Sequence, residues 1–190
     1  RGVEVTYLPV AANGQIDLDD LAAAITDQTV LISLMAANNE IGVLQPLADI
    51  GRLAKERGVL WHCDAAQAVG KVPLDVEALG IDLLSVSGHK LYAPKGVGFL
   101  YVRSRNPRVR LQAQIEGGGQ ENGLRAGTLN VPGIVGLGRA CELAQQEMVT
   151  EAAYVLQMRQ RLIEGLDTRL GALSVNGDLD SRLPGNLNVS

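Results

Sequence analysis

A chain of 190 residues, 46% hydrophobic and 20% charged, has the composition of an ordinary globular protein, long enough for one core and part of a second. Its net charge of −4, with no Lys/Arg cluster interleaved with aromatics, argues against a nucleic-acid partner. No apolar run approaches membrane-spanning length, and Cys63 and Cys141 lack metal-site spacing, so a soluble, metal-free, cytoplasmic protein in a reducing compartment is expected.

In chain order, Val3-Glu4-Val5-Thr6-Tyr7-Leu8 reads as a strand, followed by a turn at Asn13-Gly14. Asp17 is placed as the N-cap of a helix through Ile25. A strand from Val30 to Met35 runs into the polar segment Ala36-Ala37-Asn38-Asn39-Glu40-Ile41-Gly42. Leu47, Ile50, Leu53 and Ala54 make the apolar stripe of a helix from Pro46 to Arg57, which Gly58 ends. Val59 to Asp64 is a third strand, and alternation sets His62 and Asp64 on one face, Trp61 and Cys63 on the other. Leu74 to Leu79 reads as a short helix. The apolar run Leu83-Leu84-Ser85-Val86 then stops at Ser87-Gly88-His89-Lys90, and Val97 to Val102 reads as a second buried strand.

Gly117-Gly118-Gly119 and Gly123 to Thr128 form a glycine-rich loop carrying Arg125 and Thr128. Pro132 begins a helix to about Met148, and Thr150 caps a second one to about Leu170. From Ala172 onward, Leu173-Ser174-Val175-Asn176-Gly177 and the strand-like Asn186 to Ser190 read as the opening of a second domain. The expected division is 1–150 for a large domain, with 151–190 a linking helix and the start of a small α+β domain. The abrupt ends at Arg1 and Ser190 suggest cuts through a larger protein.

Strands alternating with helices predict an α/β fold, a mostly parallel sheet with helices on both faces. Ligands of such sheets gather at the carboxyl ends of the strands. Asn39, Asp64 and the group Ser87, His89 and Lys90 each follow a predicted strand end, which directs them to one rim. A lysine crowded by apolar walls favours its neutral amine and becomes a nucleophile toward carbonyls, a Schiff-base lysine. Taken singly, Lys90 reads more readily as a solvated loop lysine and His89 as a core or loop histidine, while Asp64 reads equally as a helix or turn cap. Pyridoxal phosphate would need a carboxylate at its ring nitrogen, a partner for its ring hydroxyl, and donors for its phosphate. Asp64, Gln67, and Ser87, His89 and Thr128 are of those types.

The segments Ala36 to Gly42, Asp64-Ala65-Ala66-Gln67, Ser87-Gly88-His89-Lys90 with Lys95-Gly96-Val97-Gly98, and Gly117 to Thr128 resemble, in order and spacing, the class V aminotransferase-like enzymes. The resemblance is strongest to cysteine desulfurases of the IscS/NifS type and covers about half of such an enzyme. It implies the large domain of a fold type I transferase that converts L-cysteine to L-alanine and passes the sulfur as a persulfide to acceptor proteins such as iron–sulfur scaffolds. It also implies that Lys90 carries the cofactor and shuttles the Cα proton, and that Asp64 pairs with the pyridine nitrogen. Gln67 and Asn39 would contact the ring hydroxyl, Asn39 also lying near the substrate carboxylate, while Ser87 and His89 bind phosphate. Thr128 would reach the phosphate of a second subunit, making a homodimer; Arg125 is left to organising its loop or that contact. The family's ring-stacking histidine, persulfide cysteine and carboxylate-clamping arginine fall outside residues 1–190, so this chain alone is expected to be inactive. Cys63 and Cys141 read as buried core residues. The rivals are a selenocysteine or cystine lyase of the same superfamily and a non-catalytic scaffold for sulfur-transfer partners.

Overall fold

The order of elements is helix α1 (Leu18–Ala24), strand β1 (Leu31–Met35), helix α2 (Leu47–Arg57), strands β2 (Leu60–Asp64), β3 (Leu83–Ser87) and β4 (Gly98–Val102), and helix α3 (Val131–Leu170). The computed structural model describes residues 2–171 and 173–190, so Ala172, where the second-domain reading begins, lies outside the described residues, as does Arg1. The local signals of the first helices act as expected. Asp17 accepts from the N–H groups of Asp19 and Asp20 at the start of α1. Gly58 ends α2 at φ 67°, a left-handed conformation that lets its N–H return to the carbonyls of Ala54 and Lys55.

The sheet runs β1-β2-β3-β4, with β1, β2 and β3 parallel and β4 antiparallel to β3. The mostly parallel α/β sheet is therefore present. Its closed face is the core: Ile32, Trp61, Cys63, Leu84 and Val86 are buried there, and Gly51 of α2 comes so near that a Cβ would meet Trp61 and the Leu79 carbonyl. Alternation puts Ser33, His62, Asp64 and Ser85 on the opposite, more open face. At the sheet's end the buried Arg103 pairs with buried Asp82 at 3.1 Å and with Glu77 at 2.7 Å, and donates to the carbonyls of Val76 and Ile81. Asp82 in turn accepts from the Trp61 N–H at 3.0 Å.

Several sequence expectations are corrected. Residues 3–8 alternate like a strand but form none, because no described strand lies alongside to take their backbone hydrogen bonds. Residues 74–79 make one turn rather than a helix: Asp75 caps the N–H groups of Glu77 and Ala78, and Gly80 at φ 66° turns the chain straight into β3. β4 is not buried, since Gly98, Phe99 and Leu100 are exposed at the sheet edge. The two expected helices after Pro132 are one of 40 residues, about 60 Å long, and Thr150 sits inside it without breaking it. Cys141 is half-buried on α3, whereas Cys63 is fully buried. Beyond α3, Val175 pairs with Val189, and Val43 with Arg182, which ties the last residues to the segment after β1.

Candidate active site

Parallel register brings the predicted strand ends together. Met35 is level with Asp64, and Asp64 with Ser85; the crossing hydrogen bonds Ala36 N–H to Asp64 O (2.7 Å) and Ala65 N–H to Ser85 O (2.9 Å) continue that alignment past the strands. After β3 the chain turns through a single 3-10 turn, Gly88–Leu91, which presents His89 and Lys90. Gly88 is required there, because a Cβ would stand 2.7 Å from the Val97 carbonyl. Tyr92 closes the turn at φ 65°, a strained conformation for an aromatic residue and a common mark of a functional site.

Lys90 is half-buried and lines a cavity of about 830 Å³ between its turn and α3, with Leu91, Pro94, Arg139, Glu147 and Glu151 among the walls. Asn39 and Gln67 line an adjoining cavity of about 310 Å³, closed on one side by Leu183, Pro184 and Asn186. Both cavities share Gly70, Lys71, Tyr92 and Glu151. Lys71 therefore stands in the common wall. Burial lowers its ammonium below the usual value, Lys90 adds repulsion, and Glu151 opposes both. Sequence reasoning passed over Lys71, although it follows Gln67 by four residues through the hydrogen-bonded turns of residues 65–71.

The remaining predicted residues line neither cavity. The Asp64 carboxylate is exposed; one oxygen accepts from the Ala66 N–H at 3.0 Å, and the other has no protein partner among the described residues. Ser87 Oγ and His89 Nδ1 lie 3.1 Å apart, a hydroxyl and an imidazole side by side at the end of β3. Thr128 is exposed on the glycine-rich loop, which the structure does not bring to Lys90. Arg125 in that loop donates to the Gly127 carbonyl at 3.3 Å. Neither cysteine lines either cavity. Burial pushes the Cys63 thiol up to about 12, with Asp64 adding to the effect, and burial also raises Cys141.

The model of the family described as aminotransferase class-V matches residues 1–190. The chain belongs to the aminotransferase class V family. It is 56% identical over 190 residues to the cysteine desulfurase IscS of Anaeromyxobacter dehalogenans (strain 2CP-C), a match covering all of this chain and 47% of that relative. A probable mitochondrial cysteine desulfurase of Dictyostelium discoideum is 54% identical, again across the whole chain and 42% of the relative. Among solved structures, a NifS-like protein superposes with a TM-score of 0.92 at 42% identity, covering all of this chain and 51% of that one. SspA in complex with cysteine gives 0.81 at 42% identity, over 99% and 51%. The chain thus spans about half the length of the relatives it matches.

Members of this family depend on pyridoxal phosphate, and the groups here fit it. A half-buried lysine borders a cavity, a carboxylate oxygen at the neighbouring strand end has no protein partner among the described residues, amide side chains line the adjoining space, and a hydroxyl–imidazole pair is available to an anion.

Proposed function

We propose that the protein to which this chain contributes is a pyridoxal-phosphate-dependent cysteine desulfurase, taking sulfur from L-cysteine, leaving L-alanine, and passing the sulfur as a persulfide to acceptor proteins such as iron–sulfur scaffolds. The observation that carries this reading is the pairing of neighbouring strand ends, one bearing Asp64 and the other leading to Lys90, with Lys90 lining one cavity and Asn39 and Gln67 the adjoining one. The bound cofactor supplies a cationic ring that takes up the electrons of a bond broken at the substrate carbon. Lys90 holds the cofactor and moves the Cα proton through its amine. Asp64 keeps the ring nitrogen protonated by opposing its charge. Gln67 and Asn39 orient the ring hydroxyl, and Asn39 also meets the substrate carboxylate.

Ser87 and His89 bind the phosphate, and Thr128 does so for a second copy in a homodimer. The exposure of Thr128, away from this chain's own cavities, supports that assignment. We assign the sulfur-carrying thiol to a segment outside residues 1–190; the inaccessible Cys63 thiol, held protonated at neutral pH, and the half-buried Cys141 thiol, raised by burial, support that reading. We assign residues 1–150 to the large domain and 151–190 to a linking helix and the start of a small domain, with α3 running unbroken across the division. No helix among the described residues is long and apolar enough to cross a membrane, and a cytoplasmic setting fits this chemistry.

The test is borohydride reduction of the full-length gene product with pyridoxal phosphate, peptide mapping, and an assay of alanine and sulfur from L-cysteine. A pyridoxyl group on Lys90 and one alanine per sulfur delivered as persulfide are expected. Absence of the Lys90 adduct overturns the cofactor assignment, and release of sulfur only as free sulfide overturns the desulfurase in favour of a lyase.

A further inference from the structure

The open face of the sheet holds one titratable ring to which the proposed chemistry gives no task. Ser33, His62 and Leu83 are register partners across β1, β2 and β3, with Ser85 two residues beyond Leu83. The imidazole of His62 bridges them: Nδ1 lies 2.9 Å from Ser33 Oγ, and Nε2 lies 3.1 Å from Ser85 Oγ. A neutral imidazole has one N–H and one lone pair, and a hydroxyl can either give or take, so both bonds form without any charge on the ring. Asp64 stands on the same face two residues further along β2, about 7 Å by strand rise. Burial holds His62 below its usual value while the Asp64 carboxylate pulls it the other way. Ser33 and Ser85 bring no charge from the neighbouring strands, and Asp64 is the ionic group bearing on the ring.

We propose that the Ser33–His62–Ser85 row underlies Asp64, and that His62 is a positioning residue whose protonation would weaken the pairing of Asp64 with the ring nitrogen of the cofactor. The inference rests on the assignment of Asp64 to that nitrogen. With one oxygen bound to Ala66, the rest of the Asp64 charge is available to a cation. An imidazolium below it would compete for that charge and repel the pyridinium; a neutral ring leaves the carboxylate to the cofactor. The hydroxyl bridge fixes the ring without requiring a proton, so the same geometry serves at neutral pH.

The sign is fixed by linkage. A histidine whose folded value is depressed is neutral above pH 6.5, and the benefit of its neutrality is lost as pH falls through that lowered value. Cofactor affinity should follow the same course. The experiment is a fluorescence titration of the full-length protein with pyridoxal phosphate from pH 8 to pH 5, for wild type and His62→Gln. Glutamine keeps a donor and an acceptor for the two hydroxyls and does not titrate.

At pH 8 the two proteins should bind within about twofold of each other; below pH 6.5 wild type should lose up to about fiftyfold more affinity than the variant, the size of a unit-charge interaction at this separation near a protein surface. Titration of the cofactor's own phosphate occurs in both proteins and cancels. Equal loss in both proteins overturns the proposal. Failure of wild type to bind at pH 8 instead overturns the cofactor reading. Should His62→Gln not fold, judged by melting without cofactor, nitrogen-15 spectra of the wild-type imidazole decide: its pKa must fall when the cofactor binds, by reciprocity, and an unchanged pKa overturns the proposal.

Discussion

On β2, Trp61 and Cys63 point to one side of the sheet with no exposed surface, while His62 and Asp64 point to the other, half-buried and exposed. The closed side meets α2 through apolar contact and is backed by the Arg103–Asp82 pair, whose carboxylate also holds the Trp61 backbone. The open side is held by hydroxyls, an imidazole and a carboxylate. Alternation along five residues thus separates what keeps the sheet folded from what the sheet is for. Substitutions on the closed side should therefore appear in unfolding, and those on the open side and its rim in cofactor binding and turnover.

The largest effect that would break this division is at Lys90. In the full-length protein Lys90→Ala should abolish alanine release, a loss of at least about 10⁴-fold for removal of a nucleophile that also transfers a proton, with an unchanged melting curve. A variant that still turned over would sink the assignment of Lys90. Next comes Arg103→Ala, which strands Asp82 as an unpaired buried charge and should destabilise by about 3–5 kcal/mol in urea unfolding. If the folded variant also bound pyridoxal phosphate more weakly, the two sides would not be independent. Cys63→Ser places a hydroxyl among the buried apolar side chains of the closed face and should lose about 1–3 kcal/mol while leaving persulfide formation intact. Loss of sulfur transfer in a stably folded Cys63→Ser protein would return Cys63 to the site.

What the sequence disclosed divides along the same line of local against distant. Asp17, Gly58 and the apolar stripe of α2 act within a few residues, and the helices they define were legible. So was the placement of Asp64 and Lys90 at strand ends, because turn residues and strand periodicity are local. Residues 3–8 have the strand pattern, but a strand exists only with a neighbour, which the pattern does not supply. Thr150 resembled a cap, yet the helix on either side continues through it. The bridge at His62 joins residues 29 and 23 positions away, and Arg103 reaches Glu77 from 26. Alternation could place His62 on the Asp64 face; only the fold could say what it touches there.

The smallest effect sharpens the comparison most, because it tests the same kind of bond on the side where water is present. Ser33→Ala removes the hydroxyl at Nδ1 of His62 from an exposed position on β1. Water can take the vacated place, so the loss should be about 0.5–1.5 kcal/mol in urea unfolding at pH 8, below that of Cys63→Ser. Its mark on function should be larger than its mark on stability. With one bridge gone, the ring is fixed only by Ser85, and cofactor affinity should fall about twofold to tenfold while the fold persists. If Ser33→Ala proves more destabilising than Cys63→Ser, with no change in cofactor affinity, the serine–histidine row belongs to the framework of the sheet, and the division between its two sides fails where it is drawn most finely.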